Sequence, residues 1–134
     1  MHRLKIRTLN REEYIDITEI IRDWVKTNLK DYDGVLTLFV PHTSAGIFIN
    51  EGYDIDVRRD LQKVLNKIVQ GIIFDHSEGN SDAHFKTLLT GNSINVIVEN
   101  GEIMLGRWQS IFFAEFDGPR ERELWIKALG KRKI

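Results

Sequence analysis

The sequence predicts a single α+β domain, residues 1–134, in which a mostly antiparallel or mixed β-sheet carries two main helices packed on it. Two stretches place apolar residues at helical spacing, whereas the C-terminal third consists of apolar or alternating runs bounded by turn residues. A chain of 134 residues has the length of one domain, and it contains no linker, internal repeat or low-complexity segment. Strands and helices that do not follow a regular βαβ order are typical of the α+β class.

The N-terminal elements are predicted to be a strand and a helix. Residues 4–8 alternate apolar and polar side chains, which is typical of a half-buried strand. Asp16 is expected to cap the helix, and Glu19 three positions later would complete a capping box. The helix itself is predicted from its apolar stripe, which is Ile17, Ile20, Ile21, Trp24, Val25 and Leu29.

Two strands are predicted after this helix. Asp33-Gly34 is expected to turn the chain into residues 35–40. That run is apolar at nearly every position, which predicts a strand buried on both faces. Residues 47–49 predict a second, shorter strand.

The middle of the chain predicts two further helices. Asp54 is expected to cap the first of them, whose apolar stripe is Val57, Leu61, Val64, Leu65 and Ile68. Asp60 falls on the same side as this stripe, so its carboxylate is expected to be paired or hydrogen-bonded. Asp82 is expected to cap a short third helix that ends at Gly91.

The C-terminal third predicts four strands. Residues 94–99 and 102–105 flank Asn100-Gly101, which is the strongest two-residue hairpin signal. Residues 109–116 predict the next strand, and residues 123–129 predict a strand that returns after a turn.

The strand at residues 109–116 carries large side chains on both faces, so both faces are expected to be covered. A small two-layer domain covers one face of a sheet more easily than two, so another subunit is expected to supply the second cover. Glu115 lies among these apolar residues and needs a partner; a salt bridge to Arg120 or Arg122 is the favoured interpretation. The large residues in question are Phe112, Phe113, Phe116 and Trp125.

Three of the four histidines lie where apolar chain gives way to polar loops. His42 follows an apolar run within Pro41-His42-Thr43-Ser44-Ala45-Gly46, while His76 and His84 flank residues 77–82. Imidazole is suited both to metal ligation and to proton transfer near neutral pH. For each histidine taken alone, a satisfied or exposed side chain in a polar loop remains an open alternative.

The spacing of His76 and His84 means that a shared site can form only if the chain reverses direction between them. Eight positions separate them, so neither one helix nor one strand lets both rings share a metal ion. They converge only if the chain reverses at Gly79 and Asn80, two residues that tolerate turn conformations. Glu78, between them, is a candidate general base or metal-ordering carboxylate.

Composition excludes several classes of function. A net charge of −1 gives no support to a nucleic-acid partner, and the absence of cysteine removes thiol chemistry. No apolar run approaches the roughly 20 residues of a membrane span. The N-terminus lacks the apolar core of a signal peptide. A soluble cytoplasmic protein without a membrane partner is therefore expected.

The chain resembles the YjbQ-like family, whose members are often described as secondary thiamine-phosphate synthases. The resemblance covers nearly the whole chain and implies a trimeric α/β protein with a weak ability to join the two halves of thiamine phosphate. Many members have Asp-Pro where this chain has Asp54-Ile55. The matching motifs are His42-Thr43-Ser44-Ala45-Gly46, Asn50-Glu51, Asp54, Asp60, residues 76–80, Ala83-His84, residues 105–109 and residues 116–120.

The resemblance also implies a set of functional residues. The family's three histidines look like a metal site, and they fall on His42, His76 and His84. Its other recurrent polar positions fall on Ser44, Asn50, Glu51, Asp60, Glu78, Asn80, Lys86, Gln109, Glu115 and Arg120.

The leading hypothesis is an enzyme with a divalent ion, zinc before magnesium, held by the three histidines with one position open. Glu78 would act as general base, with Asp60 and Glu115 as further catalytic candidates. A phosphorylated small molecule would be transferred, as in thiamine-phosphate synthesis, or hydrolysed. The rival hypothesis is a non-catalytic metal- or ligand-binding oligomer, favoured if Glu78 or Asp60 closes the fourth position. The expected substrate contacts are Thr43, Ser44, Asn50, Asn80, Lys86, Gln109 and Arg120.

Overall fold

Two antiparallel sheets lie face to face in the computed structural model, which describes residues 1–133, and two of three helices cover the outer side of the smaller sheet. The strands are β1 (His2–Arg7), β2 (Glu13–Asp16), β3 (Tyr32–Phe39), β4 (Ala45–Glu51), β5 (Ser93–Glu99), β6 (Glu102–Met104), β7 (Gln109–Glu115) and β8 (Glu121–Arg132). The helices are α1 (Thr18–Asn28), α2 (Ile55–Val69) and α3 (Ser81–Thr90).

The two sheets contain five and three strands. The larger sheet has the order β1-β8-β3-β5-β6 and the smaller has the order β2-β7-β4. Every strand pairing within residues 1–133 is antiparallel. The predicted α+β class with mostly antiparallel strands is confirmed, but the strands form two sheets rather than one.

The main core fills the space between the two sheets. Strand β3 contributes Leu36 and Leu38 from the larger sheet, and strand β7 contributes Ile111 and Phe113 from the smaller one. All four side chains are fully buried. Helix α1 closes one end of this core with Ile17, Ile21 and Val25. Burial of a side chain of this size contributes about 1.5–3 kcal/mol relative to leaving it exposed.

A second, smaller core lies on the other side of β7. Phe116 and Ala114 pack there against Ala83 of α3 and Leu65 of α2. Both faces of β7 are therefore covered by the chain itself. The expectation that another subunit covers Phe112, Phe113 and Phe116 is wrong, because the second sheet and the helices form two layers where the sequence predicted one.

The outer face of the larger sheet has no covering layer within residues 1–133. Strand β3 shows this directly, since Leu36 and Leu38 are buried whereas Val35 and Phe39 are each 39% exposed. The prediction that residues 35–40 are buried on both faces is therefore wrong for the isolated chain. An apolar run does not distinguish a central strand of a covered sheet from an outer sheet whose second face is bare.

The start of α1 differs from the predicted capping box. Asp16 ends β2, a strand that the sequence did not reveal, and its Oδ1 accepts hydrogen bonds from the amide and hydroxyl of Thr18 at 3.0 and 2.6 Å. Glu19 pairs instead with Arg22 at 3.3 Å. The aspartate thus orders the strand-to-helix turn two residues ahead, and Ile17 occupies the cap position.

The ends of α2 and α3 agree better with the ends that were predicted from the sequence. Asp54 caps α2 as predicted, and its side chain accepts a hydrogen bond from the Asp56 amide at 2.9 Å. Gly91 ends α3 with a positive φ of 84°, also as predicted. Asn80, not Asp82, is the N-cap residue of α3; Asp82 lies in the first turn and pairs with Arg11 at 3.3 Å.

Helix α2 lies on the outside of the molecule and has no buried residue. Val64 and Ile68 of its apolar stripe are 58% and 46% exposed. Asp60 is exposed as well and pairs with the Lys63 ammonium at 4.0 Å, so the expected pairing is present but lies at the surface of the helix. The rest of the molecule therefore covers only part of the apolar stripe of α2, and Asp60 beside the stripe remains in solvent.

The predicted β5–β6 hairpin is confirmed. Asn100 and Gly101 have φ angles of 52° and 73°, and Glu99 is directly opposite Glu102. Positive φ at both central residues is what the Asn-Gly pair supplies at low cost. No helix within residues 1–133 is both long and apolar enough to cross a bilayer.

Candidate functional site

A pocket of about 790 Å³ lies where the loop after β3 meets the start of α3. The loop after β3 supplies His42, Thr43 and Ser44, and the loop before α3 supplies His76, Glu78 and Asn80. Further walls come from His84 on α3, Asn92 before β5 and Arg120 and Arg122 near the start of β8. All three histidines singled out in the sequence therefore line one pocket.

The predicted chain reversal between His76 and His84 is present. Gly79 has a φ of 79°, in the left-handed region that favours glycine, and the chain folds back there before α3 begins. The two imidazole rings lie with their centroids 5.8 Å apart. Residues eight positions apart in sequence are thus brought side by side.

His84 has one ring nitrogen fixed and one free. Its Nδ1 lies 2.8 Å from the carbonyl oxygen of Thr43, so Nδ1 carries the proton and donates to that carbonyl. The lone pair is then on Nε2. This is the arrangement found for histidines that bind metals, in which a backbone carbonyl fixes the tautomer and the ring orientation.

His76 and Glu78 lie together at the exposed side of the pocket. The His76 Nε2 atom is 3.8 Å from Glu78 Oε2, which is too long for a hydrogen bond. The side chain of Glu78 is 75% exposed. Both groups are therefore free to engage a ligand, and a rotation of the Glu78 side chain changes its distance to either ring.

His42 is held differently. Its Nε2 accepts a hydrogen bond from the backbone amide of Glu123 at 2.9 Å, so the proton of the neutral ring is on Nδ1 and no lone pair is left for a metal. Burial and the positive charge of Arg122 lower the pKa of His42, which keeps the ring neutral near neutral pH. In this arrangement His42 offers a pocket ligand a single N–H donor.

The histidines consequently fit a metal ion only in part. Within residues 1–133, no three His, Cys, Asp or Glu side chains gather closely enough to hold one. His76 and His84 supply two suitable imidazoles. A third protein ligand requires Glu78 to rotate, His42 to release the Glu123 amide, or a donor from another molecule.

Glu115 and Arg122 form a fully buried ion pair behind the pocket. The carboxylate accepts from the guanidinium through both oxygens, at 2.8 and 2.5 Å. Thr8 and the amides of Phe116 and Asp117 donate to it as well, at 2.7, 3.0 and 3.0 Å. The predicted partner is thus Arg122, and Glu115 has every oxygen engaged, which leaves no lone pair positioned for the pocket.

Ser44 belongs to this buried network more than to the pocket. Its hydroxyl oxygen accepts from Arg122 Nη2 at 2.9 Å, and its backbone oxygen lies 3.2 Å from the same nitrogen. The residue is only 6% exposed. Arg122 therefore connects Ser44, which directly precedes β4, with Glu115 on β7. Because Glu115 neutralises most of its charge, Arg122 attracts an anion in the pocket only weakly.

Arg120 provides the more accessible positive charge. Its Nε and Nη2 donate to the backbone oxygen and carboxylate of Asp117 at 2.7 and 3.0 Å, and its side chain is 53% exposed. Burial alone would raise the pKa of Asp117, but hydrogen bonds from Asn80 and Arg120 outweigh it and the pKa is lowered. Arg120 lines the pocket, and these contacts with Asp117 leave its Nη1 unused.

Asn80 is oriented by the same carboxylate. Its Nδ2 donates to Asp117 Oδ2 at 3.0 Å, which leaves its Oδ1 as the free end of the amide. That oxygen is buried and has no hydrogen-bond partner within the described residues. Asn80 thus presents an acceptor, and an acceptor does not bind a phosphate oxygen.

Four residues predicted to act in the site lie outside the pocket. Lys86 is buried and donates to Glu12 at 2.8 Å and to Asn66 at 2.5 Å, so its charge is already paired. Asn50 and Gln109 are at the far ends of β4 and β7, about 20 Å along the strands. Asp60 is on the exposed side of α2.

Asn92 is a residue of the site that the sequence did not single out. Its Nδ2 lies 2.8 Å from the His42 carbonyl oxygen, with the carbonyls of Val40 and Ala45 at 3.2 and 3.4 Å. It therefore fixes the loop that carries His42. No local pattern marks such a residue, because its partners are about 50 positions away in the chain.

Comparison with known proteins identifies the family. Residues 2–131 match the family model described as UPF0047 protein YjbQ-like. The UPF0047 protein MJ1081 of Methanocaldococcus jannaschii is 44% identical over 98% of this chain and 96% of its own length. The UPF0047 protein YugU of Bacillus subtilis is 42% identical over 95% of this chain and 97% of its own.

Solved structures agree with this. A YjbQ/UPF0047 family protein from Clostridium acetobutylicum superimposes with a TM-score of 0.90 and 42% identity, over 96% of this chain and all of that one. The conserved hypothetical protein TT1486 of Thermus thermophilus gives a TM-score of 0.86 and 41% identity, again over 96% and 100% of the two chains. The chain belongs to the YjbQ-like UPF0047 family.

Proposed function

We propose that this protein is a small metal-dependent enzyme that acts on a phosphorylated small molecule in the histidine-lined pocket. The observation that carries the proposal is the pairing of His76 with His84 at 5.8 Å beside a pocket of about 790 Å³. A closed fourth ligand position would favour a non-catalytic binding protein. An open pocket beside the rings, on which several polar side chains converge, favours an enzyme instead.

The ion would be zinc, because zinc prefers imidazole ligands whereas magnesium favours oxygen. His84 would hold it through Nε2, and His76 through one of its ring nitrogens. The third ligand is His42, which must first release the Glu123 amide, or Glu78, which needs only a side-chain rotation. A zinc ion at this place would polarise a phosphoryl oxygen.

The chain's own groups are arranged for an anionic substrate. Arg120 offers guanidinium N–H groups that Asp117 does not use, and guanidinium matches the geometry of phosphate. The Nδ1–H of His42 and the Thr43 hydroxyl are neutral donors among the residues that line the same pocket. Glu78, exposed at the rim, is placed to take up or deliver a proton.

Two reactions need these same parts. One is thiamine-phosphate formation, in which the thiazole nitrogen would form a bond to the pyrimidine half as pyrophosphate leaves that half, and Arg120 would stabilise the departing pyrophosphate. The other is hydrolysis of a small phosphate ester. The protein would work in the cytoplasm as a homotrimer, with a light-scattering mass three times the chain mass of 15.6 kDa. The exposed outer face of the larger sheet supports an assembly of this kind.

Replacing Arg120 by methionine tests the phosphate part of the proposal. The KM for a phosphorylated substrate should rise about 10–100-fold, because a hydrogen bond to a charged group contributes about 1.5–3 kcal/mol. Zinc content should stay the same. Thiamine-phosphate formation and phosphate release from small esters are the two assays.

The matched control is Arg59→Met on α2, where the side chain is 65% exposed and forms its ion pair with Asp56. Its KM should equal that of the wild type. Equal KM values for Arg120→Met and Arg59→Met would show that Arg120 does not contact the phosphate of the substrate. If metal-replete wild type shows neither activity, the non-catalytic binding protein becomes the better account.

A further inference from the structure

The loop between β1 and β2 contacts α3 on the side opposite to His84. Arg11 of this loop pairs with Asp82 at 3.3 Å. The next residue, Glu12, pairs with Lys86 at 2.8 Å. Asp82 and Lys86 are four positions apart, so they lie on the same face of the helix. His84 is two positions from each, a rotation of about 200°, and therefore lies on the other face, where it lines the pocket.

The two contacts of this loop differ in what they stabilise. Lys86 is 1% exposed, and its ammonium donates both to Glu12 and to Asn66 of α2. Loss of Glu12 would leave a buried charge without its partner, which lowers the stability of the whole fold. The Arg11 side chain is 50% exposed, so its ion pair contributes little to global stability. Removing Arg11 therefore affects local geometry more than folding.

Arg11 connects α3 with the turn between β7 and β8. Its Nη1 and Nη2 donate to the two carboxylate oxygens of Asp82, both at 3.3 Å. Its Nε lies 3.9 Å from Asp117 Oδ1, which is an ion-pair distance, and its backbone oxygen accepts from the Gly118 amide at 3.0 Å. One guanidinium thus contacts a carboxylate on the helix and a carboxylate on the turn. The planar fork of an arginine fixes such a geometry, whereas a lysine ammonium does not.

The helix and the turn carry the two halves of the proposed site. Asp82 is two positions before His84 on α3. Asp117 accepts from Arg120 Nη2 at 3.0 Å and so orients the guanidinium that is available to an anion. Arg11 itself lies outside the pocket. It is therefore placed to set the distance between the imidazoles and Arg120 without contacting a ligand.

Asn80 makes a second link between the helix and the turn. It is the N-cap residue of α3, and its Nδ2 donates to Asp117 Oδ2 at 3.0 Å. Because Asn80 lines the pocket, its replacement would change contacts with a ligand as well as the spacing. Replacing Arg11 changes the spacing and leaves the lining residues as they are.

We propose that Arg11 is a positioning residue, which holds α3 against the turn between β7 and β8 so that one anion contacts both the histidine pair and Arg120. This inference deepens the function proposed above and rests on it. A phosphate group bound to an ion at His76 and His84 reaches Arg120 only while the helix and the turn keep their relative position. Arg11 acts through Asp82 and Asp117 and does not touch the phosphate.

The ring of His84 reports the position of α3 in metal-free protein. In the wild type the neutral ring should be mainly the Nδ1–H tautomer, because the Thr43 carbonyl accepts that proton at 2.8 Å. Arg11→Met should increase the share of the Nε2–H tautomer, since the released helix start moves the ring away from this carbonyl. The ¹⁵N chemical shifts of the two ring nitrogens measure the change. Asp82→Asn should have the same effect, and the double variant should show no more than either single variant.

Inorganic phosphate tests the spacing itself. Zinc bound to the wild type should raise the affinity for inorganic phosphate by about 5–150-fold, the usual range of coupling between two sites. In Arg11→Met this factor should fall to about one, because the ion and Arg120 no longer reach the same phosphate. The affinity of the zinc-free variant for phosphate should equal that of the zinc-free wild type, a result that general loss of structure would not give. Titration calorimetry on zinc-saturated and zinc-free samples measures all four affinities.

The matched control is Arg22→Met on α1, where the arginine pairs with Glu19 at 3.3 Å. It should equal the wild type in the His84 tautomer and in the coupling factor. An unchanged tautomer or an unchanged coupling factor in Arg11→Met would overturn the positioning role, while zinc and phosphate binding by the wild type would leave the proposed function standing. A wild type that binds neither zinc nor phosphate would overturn the proposed function and the positioning role together.

Discussion

Replacing Glu115 by glutamine is expected to lower the free energy of unfolding by about 3–5 kcal/mol. The change leaves the Arg122 guanidinium, whose side chain is 6% exposed, buried without its counter-charge. It also weakens the hydrogen bond from Thr8 and those from two backbone amides. Urea-induced unfolding followed by circular dichroism measures the effect.

Two comparisons separate the charge from the packing. The joint replacement of Glu115 and Arg122 by methionine should be far milder, because apolar pairs of similar volume often replace buried ion pairs at little cost. Glu19→Gln, an exposed carboxylate on α1, should change stability by less than about 0.5 kcal/mol. If Glu115→Gln behaves like Glu19→Gln, the buried pair is not important for stability.

The same pair predicts an acid dependence. Burial alone would raise the pKa of Glu115, but the hydrogen bonds from Arg122 and Thr8 outweigh it and hold the pKa below the usual 4.5. The folded carboxylate therefore binds its proton later than the unfolded one as the pH falls. Its contribution is fully present above the unfolded pKa and is lost as the pH falls through the folded pKa. The acid-side slope should be shallower in Glu115→Gln.

Replacing Glu78 by glutamine is expected to reduce turnover about 10²–10⁴-fold, because the amide cannot take up a proton. Its side chain is 75% exposed and makes no hydrogen bond within the described residues, so the fold should be unaffected. Thiamine-phosphate formation and phosphate release are the activities to assay. Metal content of the variant is measured on the same sample.

The metal content decides between two roles of Glu78. Lost turnover with retained metal indicates proton transfer, whereas lost metal indicates that Glu78 is the third ligand. Glu19→Gln is again the control and should match the wild type in both measurements. Full activity in Glu78→Gln would show that Glu78 takes no part in the mechanism. Neither Asp60 nor Glu115 could then be named in its place, because Asp60 is exposed on α2 and Glu115 is held by Arg122.

Local features of the fold could be predicted because their causes lie within a few residues. The Asn100-Gly101 turn, the Asp54 cap and the Gly91 stop each depend on the φ angle or short side chain of one or two residues. The reversal at Gly79 is of the same kind. Because the chain reverses at Gly79, His76 and His84 lie side by side although eight positions separate them in the sequence.

The remaining errors have long-range causes. Asp16 was predicted to cap a helix, but it is the last residue of β2. That strand is defined by its pairing with β7, nearly 100 residues later in the chain. The sequence also did not reveal that the Nε2 atom of His42 accepts a hydrogen bond from the amide of Glu123, 81 positions away, which His42 would have to release before that nitrogen binds an ion. Lys86 was predicted to contact phosphate, but its ammonium donates to Glu12 and Asn66, which lie 74 and 20 positions away in the chain. No local pattern encodes such partners.

The ion content of purified protein tests the central claim most directly. Wild type loaded with zinc and freed of excess should contain about one zinc ion per chain by elemental analysis, and the double variant His76→Ala with His84→Ala should contain none. His2→Ala, which removes the histidine that packs on Trp24 away from the pocket, should match the wild type. Equal zinc content in the wild type and the double variant would contradict a metal site at His76 and His84.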